Sequence, residues 1–141
     1  MIKNEFNVSF KSNIYNVKGI VQSSLEFLKN NIPELDDDAL MDFKLILCEL
    51  LFNAVIHGNK KDESKVVSLS ITVNGGTVTT IVSDEGAGFD FEKIMSDGCN
   101  EENMFLETGR GIRLVKSLVD NLNFDTNGST VKFFKKVEFD G

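Results

Sequence analysis

The apolar residues in the first third of the chain follow two different periods. Residues 5–10 alternate between apolar and polar side chains, which predicts a strand at the edge of a sheet. From Ile14 to Leu28 the apolar residues recur at every third or fourth position, which predicts a helix. Asn13 is available as the N-cap of this helix, and Pro33, the only proline, closes the segment.

A second helical pattern follows and contains polar residues at a regular spacing. The three aspartates at 36–38 predict its N-cap, and we expect Gly58 to form a glycine C-cap. Glu49, Asn53 and His57 stand four residues apart in this otherwise apolar segment. Four residues advance about 400° around a helix and about 6 Å along it, so the three side chains form one ridge. The ridge either faces solvent or lines a pocket.

Residues 67–82 have the pattern of a β-hairpin. Apolar and polar side chains alternate on both sides of an Asn-Gly-Gly sequence at 74–76, which predicts the turn. Residues 84–111 are rich in Gly, Asp, Glu and Asn, and they show one short helical pattern at 91–95. A loop of this length in a compact domain is usually functional or mobile.

Two further elements complete the pattern. The apolar positions at 112–119 predict a helix, and residues 122–139 predict a final hairpin that turns at 127–128. The order of elements predicts an α+β fold, a two-layer sandwich in which helices cover one face of a mostly antiparallel, mixed sheet. Because the sequence has no internal repeat or linker, we expect residues 1–141 to form a single domain.

Composition narrows the possible functions. The chain has 141 residues, 41% of them hydrophobic, which is enough to bury a core without disulfides or metal. Cys48 and Cys99 show no CxxC spacing, so we expect reduced thiols in a cytoplasmic protein. The formal net charge of −7 argues against a nucleic-acid partner and suits a basic protein surface. No segment approaches the roughly 18 apolar residues of a membrane helix, and no membrane partner is expected.

Two glycine-rich clusters flank the long loop. Asp84 ends the predicted hairpin, and Gly86 and Gly88 after it let the backbone approach a ligand closely. A carboxylate at a strand end can accept a hydrogen bond from an exocyclic amine. Gly109 and Gly111 are expected to open a helix, whose free N–H groups and positive dipole end form a natural phosphate site. Taken alone, each cluster is also typical of an ordinary turn or of the start of a helix.

The ridge and the two clusters together carry a family resemblance. In the order ELLFNAVIHG, VSDEGAGF and GRGIRLVKSLVD, they resemble the Bergerat-type ATP-binding fold of gyrase, histidine kinases and the mismatch-repair protein MutL. Within that superfamily the chain looks most like the anti-sigma factor serine kinases of the RsbW and SpoIIAB type. The resemblance covers essentially the whole chain.

The resemblance implies a role for each residue of the ridge. Asn53 matches the asparagine that ligates Mg²⁺ bridging the ATP phosphates, and a neutral oxygen ligand suits this ion. Glu49 matches the general base that takes the proton from the attacking serine hydroxyl of a protein substrate. We assign no catalytic role to His57, because histidines near a helix end are commonly structural or favour the negative end of the dipole.

The resemblance also implies the residues that bind the nucleotide. Asp84 matches the aspartate that reads the adenine amino group, and Gly86 and Gly88 let the loop pass close to the nucleotide. Ser129 stands where relatives usually have a threonine near the adenine, so that contact is a departure from the family pattern. The residues expected to cradle the phosphates are Gly109, Arg110, Gly111 and Ile112. Residues 91–108 correspond to the ATP lid.

Three functions follow from the resemblance. The first is an ATP- and Mg²⁺-dependent serine kinase that binds a sigma factor and phosphorylates an STAS-type anti-anti-sigma protein, in a chain expected to form a homodimer. The second is an ATP-gated binding module without chemistry, although the presence of Glu49 favours the kinase. The third is an ATPase-like domain that serves a separate histidine kinase or phosphatase partner, and it fits less well because the chain lacks a phosphoacceptor helix.

Overall fold

A computed structural model describes residues 3–86, 106–125 and 129–137, except the side chains of residue 3 and of residues 106–110. Within these ranges the chain forms five strands, three α-helices and one π-helical turn. The strands are β1 (Lys3–Lys11), β2 (Val66–Asn74), β3 (Thr77–Ser83), β4 (Asn121–Phe124) and β5 (Thr130–Lys136). The helices are α1 (Ile14–Asn31), α2 (Asp37–Asn53) and α3 (Leu106–Leu118), and the π-helical turn Ala54–Gly58 follows α2 directly.

The strands form one open sheet in the order β1-β2-β3-β5-β4, with β1 at an edge as expected. The predicted α+β fold is confirmed, but every strand pair in the described ranges is antiparallel. The parallel component of the expected mixed sheet is therefore not found among these strands. The first two strands are antiparallel because the two helices that connect them, one after the other, return the chain to the end of β1. Lys11 consequently pairs with Val66, the last residue of one strand with the first of the next.

The core lies between the sheet and the helices. Alternate residues of β2 and β3 are buried, and they point toward the helical layer. Helix α2 contacts both α1 and α3, and its buried face includes Phe43, Ile46 and Leu50. None of the helices in the described ranges is long and apolar enough to span a bilayer.

Local signals placed the first two helices correctly. The Asn13 side chain accepts a hydrogen bond from the Tyr15 N–H at 2.8 Å, as an N-cap should. Asp36 caps α2 in the same way, since its carboxylate accepts from the Ala39 N–H at 2.8 Å. The hairpin between β2 and β3 is also confirmed, and Gly75 in its turn has a φ of +61°.

The predicted glycine C-cap at Gly58 is wrong. Helix α2 continues into the π-helical turn, and the chain leaves it at Asn59, whose N–H donates to the Ala54 carbonyl at 2.8 Å. The left-handed residues that follow are Lys60 and Lys61, with φ of 53° and 60°. Gly58 stands at its position for another reason, the close approach of a carboxylate described below.

The expected start of the third helix is also corrected. Helix α3 begins at Leu106, so Gly109 and Gly111 lie inside the helix and do not open it. The first four N–H groups of a helix lack an intrahelical partner, so here Gly109 provides at most the last of them and Gly111 provides none. The final hairpin is confirmed by the pairing of β4 with β5. The short helical pattern at 91–95, Cys99 and the turn at 127–128 lie outside the described residues.

Candidate functional site

Asn53 ends α2 as a buried polar side chain. It is only 7% exposed, and its Nδ2 has no hydrogen-bond partner in the part of the chain that the structure describes. A buried amide donor without a partner carries a free-energy cost of about 1–3 kcal/mol. A ligand that brings an acceptor to this amide would remove the cost.

Glu49, one turn earlier on α2, lies against α3. An ideal Cβ on Gly111 would stand 1.9 Å from the Glu49 Oε2 atom and 2.4 Å from its Cδ. Atoms cannot approach so closely, so only glycine at position 111 leaves room for this carboxylate. The structure thus brings together Glu49 of the ridge and Gly111 of the second glycine cluster, which are far apart in the sequence.

Helices α2 and α3 run in opposite directions. Besides the contact between Glu49 and Gly111, the Lys135 Nζ atom donates to the carbonyl oxygen of Leu118 and lies 5.9 Å from the centre of the Phe43 ring. The end of α3 is therefore near the start of α2, and the first half of α3 lies beside the end of α2. This arrangement places the second glycine cluster next to Glu49.

Asp84 follows β3 and lies over the π-helical turn. An ideal Cβ on Gly58 would be 2.2 Å from the Asp84 Oδ2 atom, so the absence of a side chain at Gly58 makes room for the carboxylate. The Gly86 N–H donates to Asp84 Oδ1 at 2.8 Å. An ideal Cβ on Gly86 would stand 1.8 Å from the Gly58 carbonyl oxygen, so the loop and the turn are in close backbone contact.

The environment of Asp84 raises the pKa of its carboxyl group above the ordinary 3.8. The largest cause is burial, which disfavours the charged form, and the Asp125 carboxylate acts in the same direction. The hydrogen bond from the Gly86 N–H and the charge of Lys65 lower the pKa in part. Asp84 is thus a half-buried acceptor at the end of a strand, which is the chemistry that reading an amino group requires.

Asn59 is a site residue that the sequence did not reveal. It is 1% exposed, and its side chain joins two elements: Nδ2 donates to the Val66 carbonyl at 2.9 Å and Oδ1 accepts from the Glu85 N–H at 2.8 Å. The Glu85 carboxylate in turn accepts from the Val66 N–H at 2.7 Å. These bonds tie the end of the π-helical turn to the loop that begins at Asp84. The only sequence signal is a polar residue directly after Gly58, which is too common to be specific.

Ser129 lies on the other side of Asp84. Its carbonyl oxygen accepts from the Asp84 N–H at 2.9 Å, so the two residues are direct neighbours in the structure. The Ser129 hydroxyl is not directed at Asp84, because it donates to Asp125 Oδ2 at 3.2 Å.

His57 lies in the π-helical turn and is half-buried. Burial lowers the pKa of the imidazole below the ordinary 6.5, so the ring is neutral at neutral pH. A neutral ring does not support the predicted interaction with the helix dipole.

The remaining predicted residues divide into two groups. Gly109, Arg110 and Gly111 lie in the first half of α3, although the side chain of Arg110 is outside the described residues, as is Gly88. Ile112 is completely buried, so its side chain belongs to the core. Its expected phosphate contact is through the backbone N–H and stays a prediction.

The geometry argues against a solvated stripe on α2. Asn53 is buried, and the half-buried Glu49 lies against Gly111 of α3. The site combines a half-buried carboxylate at Asp84 with a buried amide and a second carboxylate on α2.

Comparison with known proteins identifies a family of ATPase domains. A family profile described as the histidine kinase-like ATPase domain matches residues 11–135. A Geobacillus kaustophilus protein named anti-sigma F factor is 25% identical over 138 residues, which cover 96% of this chain and 93% of that protein. Proteins of the same name from Clostridium botulinum (strain Eklund 17B) and Bacillus subtilis (strain 168) are 25% and 24% identical, and the alignments cover 96% and 95% of this chain and 96% and 93% of those proteins.

Proposed function

Because this chain belongs to the histidine kinase-like ATPase family, we propose that it is an ATP-dependent serine protein kinase that acts as an anti-sigma factor. In this proposal it binds a sigma factor in the cytoplasm and transfers the γ-phosphate of ATP to a serine of an STAS-type anti-anti-sigma protein. The relatives named anti-sigma F factor support the regulatory role, since they match nearly the full length of the chain.

The observation that carries the catalytic part is the close packing of the half-buried Glu49 carboxylate against Gly111, one helical turn before the buried Asn53. A protein that only binds ATP needs no carboxylate at this place. A protein kinase needs one acceptor for the proton of the attacking hydroxyl, held beside the phosphates.

The described residues fit Mg²⁺ and the nucleotide. Asn53 offers a neutral oxygen of the kind that Mg²⁺ binds, and its unpartnered Nδ2 needs an acceptor, which a phosphate oxygen or an ion-bound water supplies. Asp84 would accept from the adenine amino group. Bound Mg²⁺ would neutralise charge on the phosphates during transfer.

The proposed reaction transfers the γ-phosphate of ATP to a serine hydroxyl. Glu49 accepts the proton of the substrate serine while the serine oxygen forms a bond to the γ-phosphorus. The bond between the γ-phosphorus and the oxygen that bridges it to the β-phosphate breaks, and that oxygen leaves with ADP. Asp84 and Asn53 keep the nucleotide in place, so positioning supplies much of the rate.

The test is a phosphotransfer assay with labelled ATP, Mg²⁺ and STAS-type antagonist proteins. Glu49→Gln keeps the size of the side chain but removes the base, so we expect transfer to fall by about 10²–10⁴-fold while ATP affinity stays close to that of the wild type. Glu26→Gln is the matched control, because Glu26 is an exposed glutamate on α1 and its replacement makes the same change of charge.

Two results would contradict the proposal. Transfer at the wild-type rate by the Glu49→Gln protein would exclude Glu49 as the base. ATP binding without transfer to any antagonist, together with ATP-dependent binding of a sigma factor, would instead identify a nucleotide-gated binding module.

A further inference from the structure

Asp125, directly after β4, anchors the end of the adjacent strand. Its Oδ1 atom accepts from the Ser129 N–H at 2.9 Å and from the Thr130 N–H at 3.3 Å, and its Oδ2 accepts from the Ser129 hydroxyl at 3.2 Å. Its own N–H donates to the Thr130 carbonyl at 2.9 Å. One carboxylate therefore determines the position of Ser129.

Ser129 in turn is hydrogen-bonded to the backbone of Asp84. The Ser129 carbonyl accepts from the Asp84 N–H at 2.9 Å, and the strand ends are joined again by a hydrogen bond of 3.1 Å between the Ser83 and Thr130 hydroxyls. A continuous set of hydrogen bonds thus leads from the Asp125 carboxylate to the backbone of Asp84. No substrate contact by Asp125 is needed for this effect.

Asp125 also acts on Asp84 through its charge. In the described part of the chain the titratable groups to consider are Asp125 after β4 and Lys65 before β2, which act on Asp84, its chain neighbour Glu85, and His57, which precedes Gly58 under the Asp84 carboxylate. The Glu85 carboxylate is used by the Val66 N–H, and the His57 ring is neutral at neutral pH. Asp125 and Lys65 are the two that act on the charge of Asp84, in opposite directions.

We propose that Asp125 is a positioning residue for the nucleotide base: it fixes Ser129 against the backbone of Asp84 and sets the charge environment in which Asp84 accepts from an exocyclic amine. The ligand class is a purine nucleotide with an amino group on the base. This inference rests on the proposed function, because it takes Asp84 as the group that reads the base.

The test compares four proteins by titration calorimetry with ATP and Mg²⁺: the wild type, Asp125→Ala, Asp125→Asn and Asp120→Asn. Asp120 is the matched control, because its carboxylate also accepts a backbone N–H of β5, that of Lys136 at 2.6 Å, but at the other end of β4. Each titration is repeated with the triphosphate of purine riboside, which lacks the amino group. Circular dichroism checks that every variant is folded.

Asp125→Ala should weaken ATP binding about tenfold, the equivalent of one lost hydrogen bond of about 1–1.5 kcal/mol, and should weaken the purine riboside nucleotide much less. An asparagine oxygen at position 125 can still accept from the Ser129 N–H, so Asp125→Asn should bind ATP normally at neutral pH. Because the second negative charge is gone, its affinity for ATP should begin to fall at a lower pH than in the wild type. Protonation of the nucleotide itself is the same for all four proteins.

The outcomes separate the two proposals. If the wild type does not bind ATP at neutral pH, the proposed function and this inference both fail. If the wild type binds ATP but the two Asp125 variants match Asp120→Asn in affinity, base preference and pH profile, only the inference fails. Equal weakening of both nucleotides by Asp125→Ala, with an unchanged pH profile for Asp125→Asn, would show a merely structural turn and would also overturn it.

Discussion

The substitution Gly111→Ala should separate catalysis from stability. The added methyl group would start 1.9 Å from the Glu49 Oε2 atom, whereas ordinary contact begins at 3.4 Å. Glu49 must therefore withdraw by at least about 1.5 Å, the difference between these two distances. The neighbour that has to move is the end of a flexible side chain, so the helices themselves can stay in place.

The two effects on stability nearly cancel. Replacing glycine by alanine within a helix stabilises the helix by about 1 kcal/mol, and moving Glu49 away from a preferred rotamer costs about 0.5–1.5 kcal/mol. We therefore expect the free energy of unfolding to change by less than about 1 kcal/mol. Catalysis has no such compensation, since a misplacement of about 1 Å at a reacting group can reduce the rate about 10²-fold.

The assay measures phosphotransfer, ATP affinity and urea denaturation on the same preparations. Gly19→Ala is the control, because Gly19 lies in α1 and a Cβ there would meet no atom within 4 Å. That control should be stabilised by about 1 kcal/mol and should keep its activity. A Gly111→Ala protein that transfers phosphate at the wild-type rate would show that the position of the Glu49 carboxylate against Gly111 is not the catalytic one.

Three further predictions concern the proposed base-binding end of the site. Asp84→Asn should abolish ATP binding in calorimetry, yet thermal denaturation at neutral pH should show equal or greater stability, because the raised pKa of Asp84 means that its charged form destabilises the fold. Asn59→Ala should lower the free energy of unfolding by about 2–4 kcal/mol in urea, since two backbone groups lose their partner. The pKa of His57 is lower in the folded than in the unfolded protein, so the unfolded state binds the proton first and the free energy of unfolding should fall as the pH drops below 6.5. The substitution His57→Gln should remove this dependence in denaturation experiments between pH 5 and 7.

Much of the fold could be predicted because the signals are local. The caps at Asn13 and Asp36 and the turn at 74–76 each depend on a few neighbouring residues, and all three are confirmed. The end of α2 could not be predicted in this way. A π-helical turn has no distinctive sequence pattern, and Gly58 satisfied the rule for a C-cap although its actual neighbour is Asp84.

The candidate site, like the fold, could be predicted from the sequence only in part. Spacing in an apolar segment drew attention to Glu49 and Asn53, and a strand end before two glycines drew attention to Asp84, while the family resemblance supplied their roles. Asn59 and Asp125 were not indicated, since both act through hydrogen bonds to strands that are distant in the sequence. Which residues hold a functional group in place depends on the tertiary structure, so a motif reveals the functional group more readily than its supports.

Gly58 and Gly111 share a physical role that their motifs did not suggest. Gly111 lies inside α3, where glycine costs about 1 kcal/mol relative to alanine, and Gly58 is the last residue of the π-helical turn; at each the missing Cβ makes room for a carboxylate from another element. Gly58 makes room for Asp84 at the proposed base-binding end, and Gly111 makes room for Glu49 at the proposed phosphate end. A helix that needed only stability would carry alanine at both positions. The two glycines therefore mark the places where packing is adapted to charged groups that the fold alone does not require.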